Sequence, residues 1–557
     1  MNRRLMMLAA LVLAAAGAAL LDAQGRGGPE WTTSRSDAQR TGWMRADPRI
    51  SVATMIKPGA FGPFKFLWKL KLEHDPKAAT ALTQPVLLTN VVGFRGFKAI
   101  AYVATASQTV HAIDYDFGTP LWKYHINYSA SPPPLIVGTP DCPIGMSAAP
   151  TRPTPITLTA GGRGGGFGGG GRSGGGVGEP GKGATTIAFA GQAGPGGTPP
   201  PAPSPAAAAG VVPGSAAAAA GNQPGGLPPA AARGGGGGGA GGAFVPGADA
   251  AYVVGTDGYL HALNIQNGWD NMTPALFLPA NTRAIGLIVA TSDAGAVAYA
   301  ATTNRCGSQP DAVWAMDLSS PQKTVTAFNV DDAVIVGSDG PALGRDGTVY
   351  IATAAGTDDS SNTLFALVPR TLAVKSKMKI ANANFTSSPL VFPWKGNDVV
   401  LVAGAGKVYL VDPASSSGPL AVSAALGTPS PQVSALASWE DTTGTRWVAA
   451  RSAAGVRTFK LVDQNGTPAF VAGWTSPPIP AALPPLVVNG VLFTASSGTR
   501  AAPSVLYALD AATGKTLWTS GATITTTVRG GLAAGQGNVY VPGSDGTLYA
   551  FGFDIEK

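Results

Sequence analysis

The chain has little charge, few cysteines and few histidines for its length. Charged residues make up 12% of its 557 residues, and it contains two cysteines and four histidines. Two cysteines cannot form a four-cysteine zinc site, and the absence of a Cys-x-x-Cys-His motif excludes a covalently attached c-type haem. The net charge of +7 is spread without a dense cluster of lysine and arginine. This argues against nucleic-acid binding and leaves only weak attraction to acidic surfaces.

Long helix-forming runs are also nearly absent, whereas glycine and proline are abundant. The sequence has 76 glycines and 47 prolines, which separate short apolar stretches. Short strands divided by turns are typical of an all-β chain, and one large repeat domain can hold most of such a sequence.

The N-terminus reads as a secretory signal peptide over residues 1–23. Arg3 and Arg4 precede an apolar run from Leu5 to Leu21, and the small residue Ala23 stands before Gln24. The alternative is an uncleaved membrane anchor. Glycine, proline or charge interrupts every later apolar stretch, so we expect no further membrane span. The chain is expected to be exported to the periplasm, the cell envelope or the extracellular space.

Pairs of apolar strands joined by tight turns recur along the chain. In the last pair, Asn538 to Phe551, the turn is Ser544-Asp545-Gly546, a strong hairpin signal because glycine adopts positive φ without strain. The eight predicted pairs are 99–114, 250–264, 296–317, 347–368, 398–412, 446–462, 491–510 and 538–551.

A further strand follows each pair except the last, where the chain ends. The segment Phe66 to Leu72, FLWKLKL, has the character needed to fill that place. The prediction is therefore an eight-bladed β-propeller of four-stranded antiparallel blades over residues 66–557, closed by this N-terminal strand. Residues 24–65 are expected to form an extended N-terminal arm. A seven-bladed ring or a solenoid are the alternatives.

A low-complexity segment interrupts the second blade. Residues 159–244 are dominated by glycine, proline and alanine, and such a composition buries too little apolar surface to offset the entropy of ordering. We expect a disordered insertion.

The two cysteines, Cys142 and Cys306, lie in loop-like contexts. In an oxidising compartment they would form a disulfide; two free thiols are the competing interpretation.

The C-terminal units resemble repeats of the pyrroloquinoline-quinone (PQQ)-like propeller superfamily. The run LYALDAATGKTLW carries the pattern at Asp510, Gly514 and Trp518, and Trp68 and Trp122 occupy the tryptophan position elsewhere. We expect these five residues to dock blade on blade, with ligand stacking by the tryptophans as the alternative. The resemblance covers residues 30–557 except the insertion.

Two branches of this superfamily imply different functions. The quinoprotein dehydrogenases use an adjacent Cys-Cys disulfide, a Ca²⁺ site of Glu, Asn and Asp side chains, and a catalytic Asp; none of these can be assigned to a position in this sequence. The other branch is the BamB-type envelope propeller, a protein-interaction scaffold, whose lipid-anchoring cysteine is missing here.

Individual polar residues add little chemistry. His111 and His261 occupy equivalent places in VHAID and LHALN and are expected to fill inter-blade positions rather than bind metal. The acidic pairs Asp331–Asp332 and Asp358–Asp359 stand in turn-like contexts. They are expected to be solvated, although paired carboxylates can also bind Ca²⁺ or transfer protons.

The sequence therefore predicts a non-enzymatic exported scaffold that binds other envelope proteins or polymers. No catalytic, metal-binding or cofactor residue is predicted, and no cofactor is expected. The alternative is a PQQ-dependent oxidoreductase, of the alcohol or sugar dehydrogenase type, that holds PQQ with Ca²⁺.

Overall fold

The computed structural model describes residues 31–73, 82–93, 96–126, 142, 145–156, 249–354, 356–357, 359–415 and 417–554. The predicted signal peptide, the predicted insertion at 159–244 and Asp358 lie outside these residues. Eight small, mainly antiparallel sheets form a ring, which confirms the eight-bladed β-propeller. Among the described residues, no helix is long and apolar enough to cross a membrane.

Each sheet is one blade, and the blades are numbered here in chain order. The strands of each blade are given in order from the one nearest the ring axis to the outermost. Blade 1 comprises Val86–Gly93, Gly96–Ala104, Thr109–Asp114 and Thr119–His125. In blade 2, Thr151 takes the innermost place by bridging antiparallel to Tyr252, and the second, third and fourth strands are Ala250–Val254, Tyr259–Asn264 and Ala275–Leu276. Blade 3 comprises Arg283–Ser292, Gly295–Thr303, Ala312–Asp317 and Val325–Asn329, and blade 4 comprises Val334–Ile335 with Ala342–Leu343, then Val349–Ala354, Thr363–Leu367 and Val374–Lys379.

Blades 5 to 8 follow the same order. Their strands are Leu390–Trp394, Asn397–Gly404, Lys407–Val411 and Ala421–Val422; Ala437–Glu440, Arg446–Arg451, Val456–Gln464 and Thr467–Thr475; Leu486–Val488, Val491–Ala495, Leu506–Asp510 and Thr516–Thr519; and Ala533–Gly535, Asn538–Pro542, Thr547–Gly552 and Lys65–Lys71.

The ring closes as the sequence predicts. Strand Lys65–Lys71 pairs antiparallel with the last strand, Thr547–Gly552, so that the two ends of the chain share blade 8. The second strands of the blades are buried on both faces, as in Ala250–Val254 and Val491–Ala495, because each blade packs on two neighbours.

Two blades gain an extra strand on the axis side, which the sequence analysis did not foresee. Pro153–Pro155 pairs parallel with the inner strand of blade 3, and Trp43–Met44 pairs parallel with that of blade 7. Both supply partners to edges that would otherwise face the axis. Beyond the strands, the described part of the chain has one short α-helix, α1 (Val52–Ile56), and two short 3₁₀ turns, Cys306–Ser308 and Gly521–Thr523.

The strand order gives the ring two distinct faces. Turns from the first to the second strand and from the third to the fourth strand of each blade lie on what we call the back face. Connections from the second to the third strand, and from the outer strand to the next blade, lie on the front face. Both faces carry loops that could hold a functional site.

Candidate functional site

The ring axis is filled by the N-terminal arm, which we define here as residues 31–50. Its backbone carbonyls accept hydrogen bonds from the inner strands of five blades. The pairs, donor first, are Leu87–Trp31 (2.9 Å), Leu343–Ala38 (2.8 Å), Val391–Gln39 (2.9 Å), Ser438–Thr41 (2.9 Å) and Val487–Gly42 (2.8 Å). In blade 8, the Gly537 amide donates to the Asp47 carboxylate at 2.9 Å.

This arrangement solves a problem that every propeller creates at its centre. The inner strands are sheet edges, and their amide groups lie deep in the ring, where an unpaired group is costly. The arm pairs several of these groups, and its own polar side chains are buried with them. Trp31, Arg35 and Arg40 are each at most 2% exposed, so the axis is packed with protein.

Two buried arginines hold the arm to opposite sides of the ring. Arg40 donates to the Gly286 carbonyl at 2.7 Å and to the Pro341 carbonyl at 3.0 Å, which belong to the inner edges of blades 3 and 4. Burial lowers the pKa of Arg40 to about 10, while Asp339 and Asp37 oppose that shift. The Arg40 guanidinium is thus bound to backbone carbonyls and serves as a structural tie. Arg35 is a second tie, which donates from Nη2 to the Leu436 and Pro485 carbonyls, while its Nε and Nη1 have no hydrogen-bond partner among the described residues.

Asp37 stabilises the turn between these arginines. Its carboxylate accepts hydrogen bonds from the Thr41 amide at 2.9 Å and from the Thr41 hydroxyl at 2.5 Å. Arg45 lies 3.6 Å from the same carboxylate. The carboxylate is thus engaged within the arm.

Aromatic and cationic side chains stack where the arm reaches the back face. The Arg45 guanidinium lies 4.5 Å from the Trp43 ring, and Arg446 lies 5.7 Å from Trp43 and 4.7 Å from Phe392. Arg446 also pairs with Glu440, and burial lowers its pKa to about 10. These contacts fix the arm against blades 5 and 6.

A cleft of about 370 Å³ opens on the front face between blades 3 and 6. Its lining combines a buried apolar floor with amide side chains, and includes Thr303, Asn304, Val336, Asn384, Phe385 and Gln432. The lining holds side-chain amides, hydroxyls and the Arg283 guanidinium, which suits hydrogen bonding to a polar ligand more than proton transfer.

The disulfide predicted from the sequence is confirmed. Cys142 and Cys306 are bonded across 164 residues of sequence, and Cys306 lies in the front-face connection of blade 3. The bond joins segments distant in the chain, unlike the adjacent pair of the dehydrogenase branch.

The two histidines occupy equivalent positions in blades 1 and 2, on the third strand. His261 Nδ1 lies 3.0 Å from the Asp270 carboxylate, which also accepts a hydrogen bond from the Tyr124 hydroxyl at 3.1 Å. Burial lowers the pKa of His111 to about 4, so His111 is neutral at pH 7. Both side chains are packed within the blades, as filler residues would be.

The described members of the acidic pairs, Asp331, Asp332 and Asp359, do not come together into a metal site. Asp331 is exposed, and the Asp332 carboxylate accepts a hydrogen bond from the Thr357 amide at 2.7 Å. Asp359 is exposed and lies 3.7 Å from Lys379. No group of three or more His, Cys, Asp or Glu side chains that could hold a metal ion occurs in the part of the chain that the structure describes.

Tryptophans bridge three blade interfaces in one repeated way. The indole N–H of Trp68 donates to the Tyr115 carbonyl of the next blade at 3.0 Å, and that of Trp122 donates to Ile265 at 3.1 Å. Trp474, which the sequence analysis missed, donates to Ala511 at 2.9 Å. Trp474 ends the segment AFVAGW, the further strand predicted after the pair 446–462, and its tryptophan is the signal that could have found it.

Each of these indoles lies against a glycine with positive φ in the neighbouring turn. Gly118 faces Trp68, Gly268 faces Trp122 and Gly514 faces Trp474. Asp510 sets the turn before Gly514 by accepting hydrogen bonds from the Ala512 and Thr513 amides. Trp518 differs, because its ring packs edge-on against Phe64 at 4.9 Å.

Charged pairs join neighbouring blades at three interfaces where no such tryptophan hydrogen bond is found among the described residues. Arg370 pairs with Asp317 between blades 4 and 3, and Arg345 pairs with Asp398 between blades 4 and 5, both at 2.5 Å. Lys395 pairs with Asp463 between blades 5 and 6. Neighbouring blades are therefore joined by tryptophan hydrogen bonds at some interfaces and by ion pairs at others.

The described residues do not fit a PQQ–calcium centre. Calcium prefers several carboxylate and carbonyl oxygens converging at one point, and the carboxylates near the axis, Asp37, Asp47 and Asp339, are bound to backbone and hydroxyl groups. The axis is occupied by the arm, and the disulfide is not an adjacent pair.

Comparison with known proteins identifies the repeat and the fold. A family model described as "Outer membrane protein assembly factor BamB" matches residues 502–554. No curated protein sequence matches the chain.

Solved structures resemble the whole ring at low sequence identity. Quinohemoprotein alcohol dehydrogenase from Comamonas testosteroni is 13% identical with a TM-score of 0.50, over 95% of this chain and 81% of that chain. A second quinohemoprotein alcohol dehydrogenase, from Pseudomonas putida HK5, is 10% identical with a TM-score of 0.52, over the same shares. A europium-containing methanol dehydrogenase is 10% identical with a TM-score of 0.50, over 95% and 99%. At these identities the likeness concerns the fold alone.

Proposed function

We propose that this PQQ-like β-propeller is an exported, non-enzymatic scaffold that binds other envelope proteins or polymers through its loops. The observation that carries the proposal is the filled axis. Arg35 and Arg40, the cations at the ring centre, are bound to backbone carbonyls of the inner strands. The surfaces left for recognition are therefore the two loop faces.

Exposed aromatic side chains support a binding role for the back face. Phe117 and Trp269 are 68% and 53% exposed, and both lie in the turn between the third and fourth strands of neighbouring blades, 1 and 2. Exposed aromatic residues are enriched at protein interfaces. The match of residues 502–554 to an assembly-factor family model points in the same direction.

The oxidoreductase alternative rests on fold likeness to dehydrogenases, and fold alone does not assign chemistry. It is tested directly by titrating the intact protein with PQQ, with and without Ca²⁺, and following the thermal midpoint. A ligand specific for the folded state at 100 times its dissociation constant adds about 2.7 kcal/mol. We expect no shift, and a Ca²⁺-dependent rise would overturn the proposal.

A positive test uses site-specific photocrosslinking in the native envelope. A photoreactive phenylalanine analogue placed at Phe117 or Trp269 should give discrete adducts. The same analogue at Val374, a comparably exposed residue on the outer strand of blade 4, serves as the control and should give none. Equal labelling at all three positions would contradict a specific interface.

A further inference from the structure

Charge is separated between the two faces of blades 5 to 7, up to the connection that enters blade 8. The front-face connections in this part of the ring are residues 380–389, 405–406, 423–436, 452–455, 476–485, 496–505 and 520–532. These connections contain no aspartate and no glutamate. The next front-face connection, residues 543–546 within blade 8, does contain one, Asp545, which forms an ion pair with Lys71 at 3.1 Å. Every carboxylate between residues 380 and 541 belongs to a strand end or turn of the back face.

Five cations lie on this carboxylate-free surface, which we call the basic arc. Lys407, Arg500 and Arg529 are exposed, and Arg451 and Arg457 are partly buried at the strand ends. None of the five forms an ion pair with a described residue. Arg457 instead donates to the Ala425 carbonyl in the front-face connection between blades 5 and 6, at 2.6 Å.

The back face of the same blades is different, because several of its charges are neutralised. Three of its six carboxylates are paired with cations: Asp398 with Arg345, Glu440 with Arg446, and Asp463 with Lys395. The excess positive charge of this half of the ring is therefore concentrated on the front.

The basic arc follows the curve of the ring. Four of the cations lie at the connection between the second and third strands of three successive blades. Lys407 flanks that connection in blade 5, Arg451 and Arg457 flank it in blade 6, and Arg500 lies within it in blade 7. Arg529 continues the series in the connection that enters blade 8. A series of like charges along a surface raises the local concentration of a polyanion and guides it along the arc.

The chemistry of these connections favours a charged polymer over an apolar partner. No large hydrophobic side chain is exposed in these front-face connections. The arc therefore offers neither an aromatic anchor for a protein interface nor an apolar residue for insertion into a membrane. Four of the five cations are arginines, whose planar fork binds carboxylate, sulfate and phosphate groups with two hydrogen bonds.

We propose that the basic arc binds a linear acidic polysaccharide along the front face of blades 5 to 7, up to the connection that enters blade 8. This inference rests on the proposed function, since it assigns one class of polymer to one face of the scaffold. The cleft between blades 3 and 6, lined by Asn384 and Gln432, lies on the same face and would supply amide hydrogen bonds to sugar hydroxyls.

The test measures binding of the intact protein to heparin and alginate, used as sulfated and carboxylated probes, by calorimetry at low ionic strength. The variant K407S/R500S/R529S removes three exposed, unpaired cations. The control variant K57S/K69S/K515S removes three exposed lysines elsewhere on the ring, so both variants carry the same net charge. Since exposed pairs contribute about 0.2–1 kcal/mol each, the arc variant should bind at least about threefold more weakly, and the control within twofold of wild type.

Equal weakening in both variants, or unchanged binding in both, would overturn the assignment of the arc. Binding to phosphatidylglycerol vesicles but to neither polysaccharide would also overturn it, because the partner would then be a membrane surface. Crosslinking from Phe117 and Trp269 in the arc variant tells the two proposals apart. Adducts that persist while polysaccharide binding fails would leave the scaffold function standing.

Discussion

Arg35 and Pro485 are separated by 450 residues, yet Nη2 of Arg35 donates to the Pro485 carbonyl at 2.5 Å. The same nitrogen donates to the Leu436 carbonyl at 2.6 Å, so one side chain of the arm joins the inner edges of blades 6 and 7. Both carbonyls lie beside the axis, where water does not reach them.

The first prediction concerns this tie. Replacing Arg35 with methionine keeps an unbranched, flexible side chain but leaves both carbonyls without their donor. Hydrogen bonds to a charged group contribute about 1.5–3 kcal/mol each, and charge burial offsets part of that. We expect a loss of about 2–4 kcal/mol, measured by urea unfolding.

Arg500→Met provides the matched control, because Arg500 is exposed and unpaired among the described residues. It should change the free energy of unfolding by less than about 0.5 kcal/mol. An Arg35→Met midpoint equal to that of wild type would show that the arm does not brace the ring through this residue.

The position of the arm marks where sequence reasoning stopped. The eight strand pairs and the closing strand could be predicted because Asp-Gly turns and apolar runs, as in Ser544-Asp545-Gly546, are local signals. The arm has no such period: polar residues from Thr33 to Thr41 are buried only because the ring surrounds them. The local sequence contains no signal for a long-range hydrogen bond such as that from Arg35 to Pro485, or for an ion pair between blades such as Arg370–Asp317.

The second prediction isolates the tryptophan–glycine contact between blades 6 and 7. In Gly514→Ala, the new methyl group would lie 2.5 Å from the Trp474 ring, and φ at this position is +76°. Gly444→Ala carries nearly the same backbone strain, with φ of +81°, but meets nothing within 4 Å.

The left-handed conformation costs an alanine about 1–2 kcal/mol. Gly444→Ala should show that cost alone, and Gly514→Ala should exceed it by about 1–3 kcal/mol because the indole must move. Chemical denaturation of both variants provides the comparison. Equal losses would mean that the Trp474 contact is not needed for blade docking.

The third prediction is a pH dependence of stability from His111. Burial lowers the pKa of His111 from 6.5 to about 4, with Glu73 opposing and Lys123 reinforcing the shift. The unfolded chain therefore binds a proton below pH 6.5 that the folded chain refuses until about pH 4. The contribution of His111 to the free energy of unfolding is therefore fully present above pH 6.5 and is lost as the pH falls towards 4.

The difference between the His111 pKa in the unfolded and folded states corresponds to about 3 kcal/mol in the free energy of unfolding. His111→Phe removes the titrating group while keeping an aromatic ring in the inter-blade position. Denaturation at pH 7 and pH 4.5 should show a smaller acid-induced loss in the variant than in wild type. Identical losses would mean that His111 accepts its proton in the folded state as readily as in the unfolded chain.

The last prediction concerns the disulfide, which links the approach to blade 2 with the front face of blade 3. Cys142 and Cys306 enclose 164 residues, and closing a loop of that size restricts the unfolded chain by about 3–5 kcal/mol in the loop-entropy model. The variant C142S/C306S should lose stability on this scale.

Wild-type protein unfolded in the presence of a reductant should match the variant, since each lacks the same link. If oxidised wild type and C142S/C306S unfold at the same denaturant concentration, the bond restrains neither the unfolded chain nor the front face.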